Sequence, residues 1–397
     1  MNIRRITPEE RLTLSLPVQA YAFGTSPASA DERQRWRAHL PYSTGNTTLV
    51  AFDGDAAQAA ASAVPMRQNV RGAVLPMAGI AGVAAHPLAR RRGHVRALLT
   101  RLLAESRDAG NVVSALYPFR ASFYARFGYV GLPQVKRTTL PVRDLAPLLG
   151  ADLPGEVRLE RIKEGYAAYR GLTERLVGER HGFALAPDYR AVRLRDEDER
   201  WLVTARVDGE LVGASTYRII EHGGDLLADD LLYTTPLGRA MLLQFFARHV
   251  DQVGRVVLRL APDEQPELWL TDLGAHSEIR TSYPDSPAPM ARVLSVEGLA
   301  ALDVGPGLVE VEVVDDALTG GRYLLDGTAG KLEVAAPSGG SVVPLARLTV
   351  AGLSALVYGV LDPAEVAVRA LGEVPADAAA QLAALFDRRI PFLFTEF

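Results

Sequence analysis

Val83-Ala84-Ala85-His86-Pro87-Leu88-Ala89-Arg90-Arg91-Arg92-Gly93-His94-Val95-Arg96 is the stretch from which the fold is read. It completes an apolar run, Val74 to Ala85, of the kind that forms a central strand covered on both faces. From His94 to Asp108, Val95, Leu98, Leu99, Leu102 and Leu103 recur at helical spacing and predict an amphipathic helix. Between strand and helix lies a short loop of arginines and one glycine. Free backbone N–H groups at a helix start, with the positive end of the dipole, make an anion site. Gly93 lets the backbone approach a phosphate, and the arginines add charge. The same features also describe a solvated basic helix start with glycine as its turn residue.

Outward from this unit, strand and helix signals alternate. Ile3 to Ile6 is a short strand, and Thr7-Pro8-Glu9-Glu10 has an N-cap and a first-turn proline. Thr47 to Phe52, Asp53-Gly54 and Ala57 to Val64 read as a hairpin. Val112 to Leu116 is the next strand, followed by a short helix around Ser122 to Phe127 with Gly128 at its end. Strands around Tyr129 and Lys136 to Leu140 are expected to close the sheet. The order then repeats: Trp201 to Arg206, Asp208-Gly209 and Leu211 to Ile220 as hairpin, Leu226 to Tyr233 as strand, Leu237 to Gln252 as helix, Arg255 to Leu260 as strand. Two related α/β domains follow from that repeat.

Around Tyr283 to Pro289 the composition turns to Pro and Ser. Beyond it, a strand (Leu308 to Val314), turns at Gly320-Gly321 and Gly339-Gly340 and helices over Ala351 to Val360 and Pro375 to Phe386 predict a small α+β domain. It ends in an apolar, extended tail, Pro391 to Phe397. The expected domains are 1–145, 146–285 and 286–397, an α/β (α+β) chain with mixed sheets.

The chain has 397 residues, 43 Lys+Arg against 47 Asp+Glu, a net charge of −4 and no cysteine. Without cysteine there is no disulfide, Cys-built metal cage, thiol nucleophile or thioester on the protein. Balanced charge argues against a nucleic-acid binder. The start at Met1 builds no apolar signal segment, and the run Ala73 to Ala85, broken by Pro76, Gly79 and Gly82, is too short to span a bilayer, so a cytoplasmic protein is expected. His39, His86, His94, His181, His222, His249 and His276 show no metal-ligand spacing, and no metal is expected. Asp196-Glu197-Asp198-Glu199 reads as a solvated turn.

The strand–Arg-x-x-Gly–helix unit resembles motif A of the GNAT superfamily of N-acetyltransferases, with Val95 where that family usually has a small residue. The resemblance implies acetyl-CoA as co-substrate, its pantetheine arm along Val83, Ala84 and Ala85 and its pyrophosphate held by Arg91, Arg92, Gly93, His94, Val95 and Arg96. Phe123-Tyr124 to Gly128-Tyr129 is similar to the family's aromatic-Tyr-x-x-x-Gly-aromatic run, which implies that Tyr124 is the acid facing the thioester sulfur; a phenol with pKa near ~10 keeps its proton at neutral pH. Phe119 and Arg120 stand where the cofactor would pass the strand end.

Over its whole length the chain resembles the enhanced-intracellular-survival (Eis) acetyltransferases: two tandem GNAT-like domains, a sterol-carrier-protein-like C-terminal domain and a chain ending in Phe. That likeness implies the α-carboxylate of Phe397 as general base; at an ordinary pKa of roughly 3.3–3.7 it needs burial or a water relay. Trp36 and Glu396 are candidate contacts to the substrate. Pro391–Phe397 also reads simply as a terminal strand, and Trp36 as a helix-packing residue. The second copy's loop, Thr234-Thr235-Pro236-Leu237-Gly238-Arg239-Ala240, lacks the basic cluster, so a second cofactor is not expected there. The resemblance further implies amine acceptors such as aminoglycosides, or protein lysines, and a homo-hexamer, with no nucleic-acid or membrane partner. The rival class is a non-enzymatic acyl-CoA- or lipid-binding protein.

Overall fold

The computed structural model describes all residues except 25, 197–199 and 338–342. The acidic run beyond Asp196 and the Gly339-Gly340 turn thus lie outside the described residues. The chain forms two compact units, one of residues 1–132, 181–192 and 283–397, the other of 133–180 and 193–282.

The first unit is built on strands β1 (Asn2–Ile6), β2 (Thr47–Asp53), β3 (Ala56–Val70), β4 (Ala73–Ala85), β5 (Val113–Leu116) and β6 (Val130–Gly131). The sheet order is β1-β2-β3-β4-β5-β15-β6, where β15 (Met290–Val293) arrives from far along the chain. Neighbours are antiparallel except β4 and β5, so the sheet is mixed. Helices α1 (Arg11–Leu14), α2 (Leu16–Phe23), α3 (Ala30–His39), α4 (His94–Asp108) and α5 (Ala121–Ala125) accompany it. The predicted stripe of α4 is buried: Leu98, Leu99, Leu102 and Leu103 form a core with Leu49, Ala59 and Ala61 of β2 and β3. Each such leucine contributes about 1.5–3 kcal/mol.

The other unit holds β7 (Lys136–Pro141), β8 (Glu156–Arg161), β9 (Trp201–Val207), β10 (Glu210–Ile219), β11 (Asp225–Ala228), β12 (Leu232–Tyr233), β13 (Arg255–Leu260) and β14 (His276–Glu278). Their order is β14-β7-β13-β11-β10-β9-β8, with β12 on β10 and β11 parallel to β13. Its helices are α6 (Ile162–Glu179) and α8 (Pro236–Ala247); α7 (Asp188–Asp196) lies between the hairpin and α6 in sequence.

Lys136 to Leu140 was expected to close the first sheet; instead β7 pairs with β13 along its whole length, Lys136 with Leu260 through Pro141 with Arg255. The place beside β5 goes to β15, Met290 opposite Leu116 and Val293 opposite Val113. Alternation of side chains announces a strand but not its partner. Arg292, buried within β15, explains why that strand stays there: it donates to the Val293 and Phe127 carbonyls and pairs with Asp316 at 2.8 Å. The hairpin turns also differ by one residue. In the first, Gly54 (φ +58°) and Asp55 form the loop after Asp53; in the second, Asp208 (φ +51°) and Gly209 (φ +83°) do. The expected strand Leu226 to Tyr233 is broken into β11 and β12.

The C-terminal region carries a third sheet, β18-β17-β16-β19-β20, of β16 (Leu308–Val313), β17 (Gly321–Asp326), β18 (Glu333–Ala335), β19 (Leu345–Leu348) and β20 (Gly372–Glu373). Helices α9 (Val350–Val357), α10 (Pro363–Val368) and α11 (Ala376–Leu385) complete it. Leu353 and Leu356 of α9 share one core with Val113, Ala291 and Val293 of the first sheet. Among the described residues, no helix is long and apolar enough to cross a membrane.

Candidate active site

β4 is the axis of the site. It pairs with β5 only from Met77 to Ile80, yet continues against β3 to Ala85. The cause is Gly82, in the left-handed region at φ +59°, where the β3–β4 register shifts and the strand turns from its partner. The Gln19 side chain holds the bulge by donating to the Gly82 carbonyl at 2.9 Å. A Cβ on Gly82 would strike Gln19 at 2.2 Å. From Ala81 onward the β5-facing edge of β4 has no strand beside it among the described residues.

That edge opens on a cavity of about 270 Å³ lined by Val83, Phe119, Tyr124 and Phe397 of the predicted set, together with Tyr117 and Phe23. Tyr124, on α5, is buried, with ring centroids 5.4 Å from Phe119, 5.1 Å from Phe123 and 6.2 Å from Tyr129. Burial, helped by the neighbouring Tyr129, pushes its phenol pKa well above the ordinary value. Gly128 (φ +76°) makes the turn after α5, and a Cβ there would meet Val350 of α9 at 2.1 Å. The turn returns the chain so that Tyr129 exchanges a hydrogen bond with Ser114 of β5 at 2.7 Å.

Below the cavity the loop reaches α4. Gly93 is its N-cap at φ +84°, with open space where a Cβ would point and no side-chain cap. The first intrahelical bond is Ala97 N–H to the Gly93 carbonyl, which leaves the N–H groups of His94, Val95 and Arg96 without partners in the helix. His94 is buried with no partner for Nδ1. Arg91, Arg92 and Arg96 are exposed, as is Arg90, and none pairs with a carboxylate among the described residues. An open helix start, unpaired cations and an orphaned ring nitrogen fit a pyrophosphate. Ala84 is buried and Ala85 half-buried on the same strand, while Arg120 is exposed; none of the three lines the cavity.

The tail enters without regular secondary structure. Phe394 stacks on Phe183 at 5.0 Å, and Phe392 N–H donates to the His181 carbonyl. The Tyr117 hydroxyl donates to the Thr395 carbonyl at 3.2 Å. The Phe397 ring meets Tyr117 edge-on at 5.8 Å and lies over Gly79, where a Cβ would come within 2.8 Å of it. Glu396 is exposed and outside the cavity, held by Arg190, which bonds both its carbonyl (2.7 Å) and its carboxylate (3.0 Å). Trp36, on α3, lines a neighbouring cleft that shares Ala81 and Gly82 with the cavity. Sequence reasoning placed Tyr117 in the stretch around Tyr124 without a role, and missed Phe183 and Arg190. Gly79 inside a buried strand was a legible sign that something packs closely there.

Two family models, each described as an acetyltransferase (GNAT) domain, match residues 2–131 and 184–293. An uncharacterised N-acetyltransferase of Streptomyces avermitilis is 28% identical over 319 residues, 70% of this chain and 74% of that one. The N-acetyltransferase Eis of Mycobacterium tuberculosis is 32% identical over 162 residues, 38% of this chain and 39% of Eis. Among solved structures, a GCN5-related N-acetyltransferase from Kribbella flavida superposes with TM-score 0.81 at 25% identity, covering 100% of this chain and 98% of that one. Eis1 from Mycobacterium abscessus shares the fold at TM-score 0.78 and 23% identity, over the full length of both chains. The chain carries two GNAT domains and belongs to the GNAT N-acetyltransferases.

Proposed function

We propose that the protein is an acetyl-CoA-dependent N-acetyltransferase that moves the acetyl group directly to an amine, with chemistry in the first GNAT domain. The observation that carries this is the single cavity holding Tyr124 and Phe397 at the open edge of β4. Acetyl-CoA supplies the activated acetyl group. Arg91, Arg92, Arg96 and the free N–H groups of α4 bind its pyrophosphate, and the Val83–Ala85 edge aligns its arm. The acceptor nitrogen forms a bond to the acetyl carbon as the carbon–sulfur bond breaks. The Phe397 carboxylate takes the proton the amine loses, and the Tyr124 hydroxyl offers its proton to the departing sulfur. A phenol raised by burial stays protonated at neutral pH, as that role needs. The resemblance offers polyamines such as aminoglycosides, and protein lysines, as acceptors. A sterol-carrier-protein-like region from 286 onward, homo-hexameric assembly and a cytoplasmic location belong to the same proposal.

The test is thiol release from acetyl-CoA across a panel of amines, with the protein as it stands and with residues added after Phe397. The expected result is turnover by the first and loss of at least about 100-fold by the second, with unchanged melting. Full activity of the extended chain would remove the carboxylate from the mechanism. Acetyl-CoA binding without turnover of any amine would favour the non-enzymatic binder.

A further inference from the structure

The cleft beside the cavity has a volume of about 210 Å³ and meets it at Ala81 and Gly82. Trp36, Leu40 and Val64 give it an apolar wall, with Asn46 and Ser62 as neutral polar groups. Among the described residues no aspartate or glutamate lines it. Its permanent charge is the guanidinium of Arg11, which has no counter-ion among the described residues. Nη1 donates to Ser43 Oγ at 2.7 Å; Nε is buried without an acceptor, and no carboxylate pairs with the side chain among the described residues. Glu396, the acidic side chain of the tail, is already taken by Arg190.

An arginine stays charged at any working pH, and withdrawing it from water unpaired is costly. A guanidinium receives a carboxylate or phosphate through two parallel bonds. A polycation in this cleft meets a like charge and no opposite one. We infer that the acceptor is not a polycation but an amine carrying an anionic oxygen group, a carboxylate or a phosphate, at its far end. Its anion lies against Arg11, its apolar body against Trp36 and Leu40, and its nitrogen at Ala81–Gly82. This rests on the acetyl-transfer reading above and, on the charge of the cleft, replaces the polyamines that the resemblance offers with an anionic amine as acceptor.

The experiment compares kcat/KM within matched pairs: phenylalanine against phenethylamine, O-phosphoethanolamine against ethanolamine, with kanamycin as the polycation. The anionic member of at least one pair is expected to be favoured at least tenfold, and the pair that shows it says whether carboxylate or phosphate is read. In Arg11→Gln that preference falls at least tenfold, through KM rather than kcat, and Arg11→Lys restores part of it. Equal use of both members, preference for kanamycin, or an equal loss for both members in Arg11→Gln overturns the inference. So does acetyl-CoA binding, followed by titration, with no anionic amine acetylated. Absence of acetyl-CoA binding instead defeats the underlying reading. If Arg11→Gln melts early, the preference of the unaltered protein decides.

Discussion

The helix starts that follow the two central strands are built alike and finished differently. At α4 the cap is Gly93, left-handed and open, and among the described residues Arg90, Arg91, Arg92 and Arg96 have no acidic partners. At α8 the Thr235 hydroxyl accepts from Gly238 N–H at 3.1 Å, and a Cβ on Gly238 would sit 2.3 Å from the Val212 carbonyl. Its arginine is consumed as well: Arg239 lies over the rings of Tyr233 and Trp269. In the same unit, where the strand breaks between β11 and β12, Asp230 is buried and satisfied by Thr216 and Tyr169. One copy has no side chain on its helix-start donors; the other caps the Gly238 N–H with Thr235. The fold is shared; the two helix starts differ in whether a side chain caps them.

The largest expected effect tests whether only one copy is catalytic. Tyr124→Phe should lower kcat about 10²–10⁴-fold with acetyl-CoA affinity kept. After β13 the second copy has the short turn Pro266–Leu268 and Trp269 where α5 and Tyr124 would stand. Substantial residual turnover would mean that the second copy is not inert.

Next comes the clamp on the tail, a property of the first site. Burial, opposed by the hydrogen bond to the Tyr358 carbonyl, holds His181 at about 4 against an ordinary 6.5, with Arg71 and Arg389 lowering it further and Asp387 raising it. The unfolded chain takes up this proton below about 6.5 and the folded chain only below about 4. Stability from this group is therefore complete above 6.5 and lost as pH falls from 6.5 to 4, by at most about 3 kcal/mol. Melts at pH 7.5 and 5 should show this slope, and His181→Gln should flatten it.

Arg91→Ala with Arg92→Ala should weaken acetyl-CoA binding about tenfold, more at low salt, while Arg239→Ala leaves it unchanged. Equal losses on both sides would erase the contrast. The smallest effect is Thr235→Ala: about 1 kcal/mol of stability, read by denaturant, with no change in acetyl-CoA affinity.

Much of this was legible locally. The spacing of Leu98 to Leu103 gave α4, the Asp-Gly dipeptides gave both hairpins, and the Phe123-to-Tyr129 aromatics came together around Tyr124. What was hidden depends on partners distant in sequence. Nothing in Lys136–Pro141 tells it to pair with β13, and nothing in Met290–Val293 names β5. The tail clamp was equally hidden, because Phe183 and Arg190 lie about 200 residues from Phe394 and Glu396. Gly82 could be read as a break in a strand, but its purpose as the point of divergence needs the register with β3.

The exchanged strands set the schedule by which the molecule is made. As the chain leaves the ribosome, the first sheet has β4 and β5 early but waits for β15, so its edge beside β5 stays bare through the synthesis of about 170 further residues. β7 emerges early and must wait for β13. The nascent first unit is thus an incomplete sheet in need of shelter. Premature termination before Met290 should yield an aggregating fragment rather than a smaller enzyme.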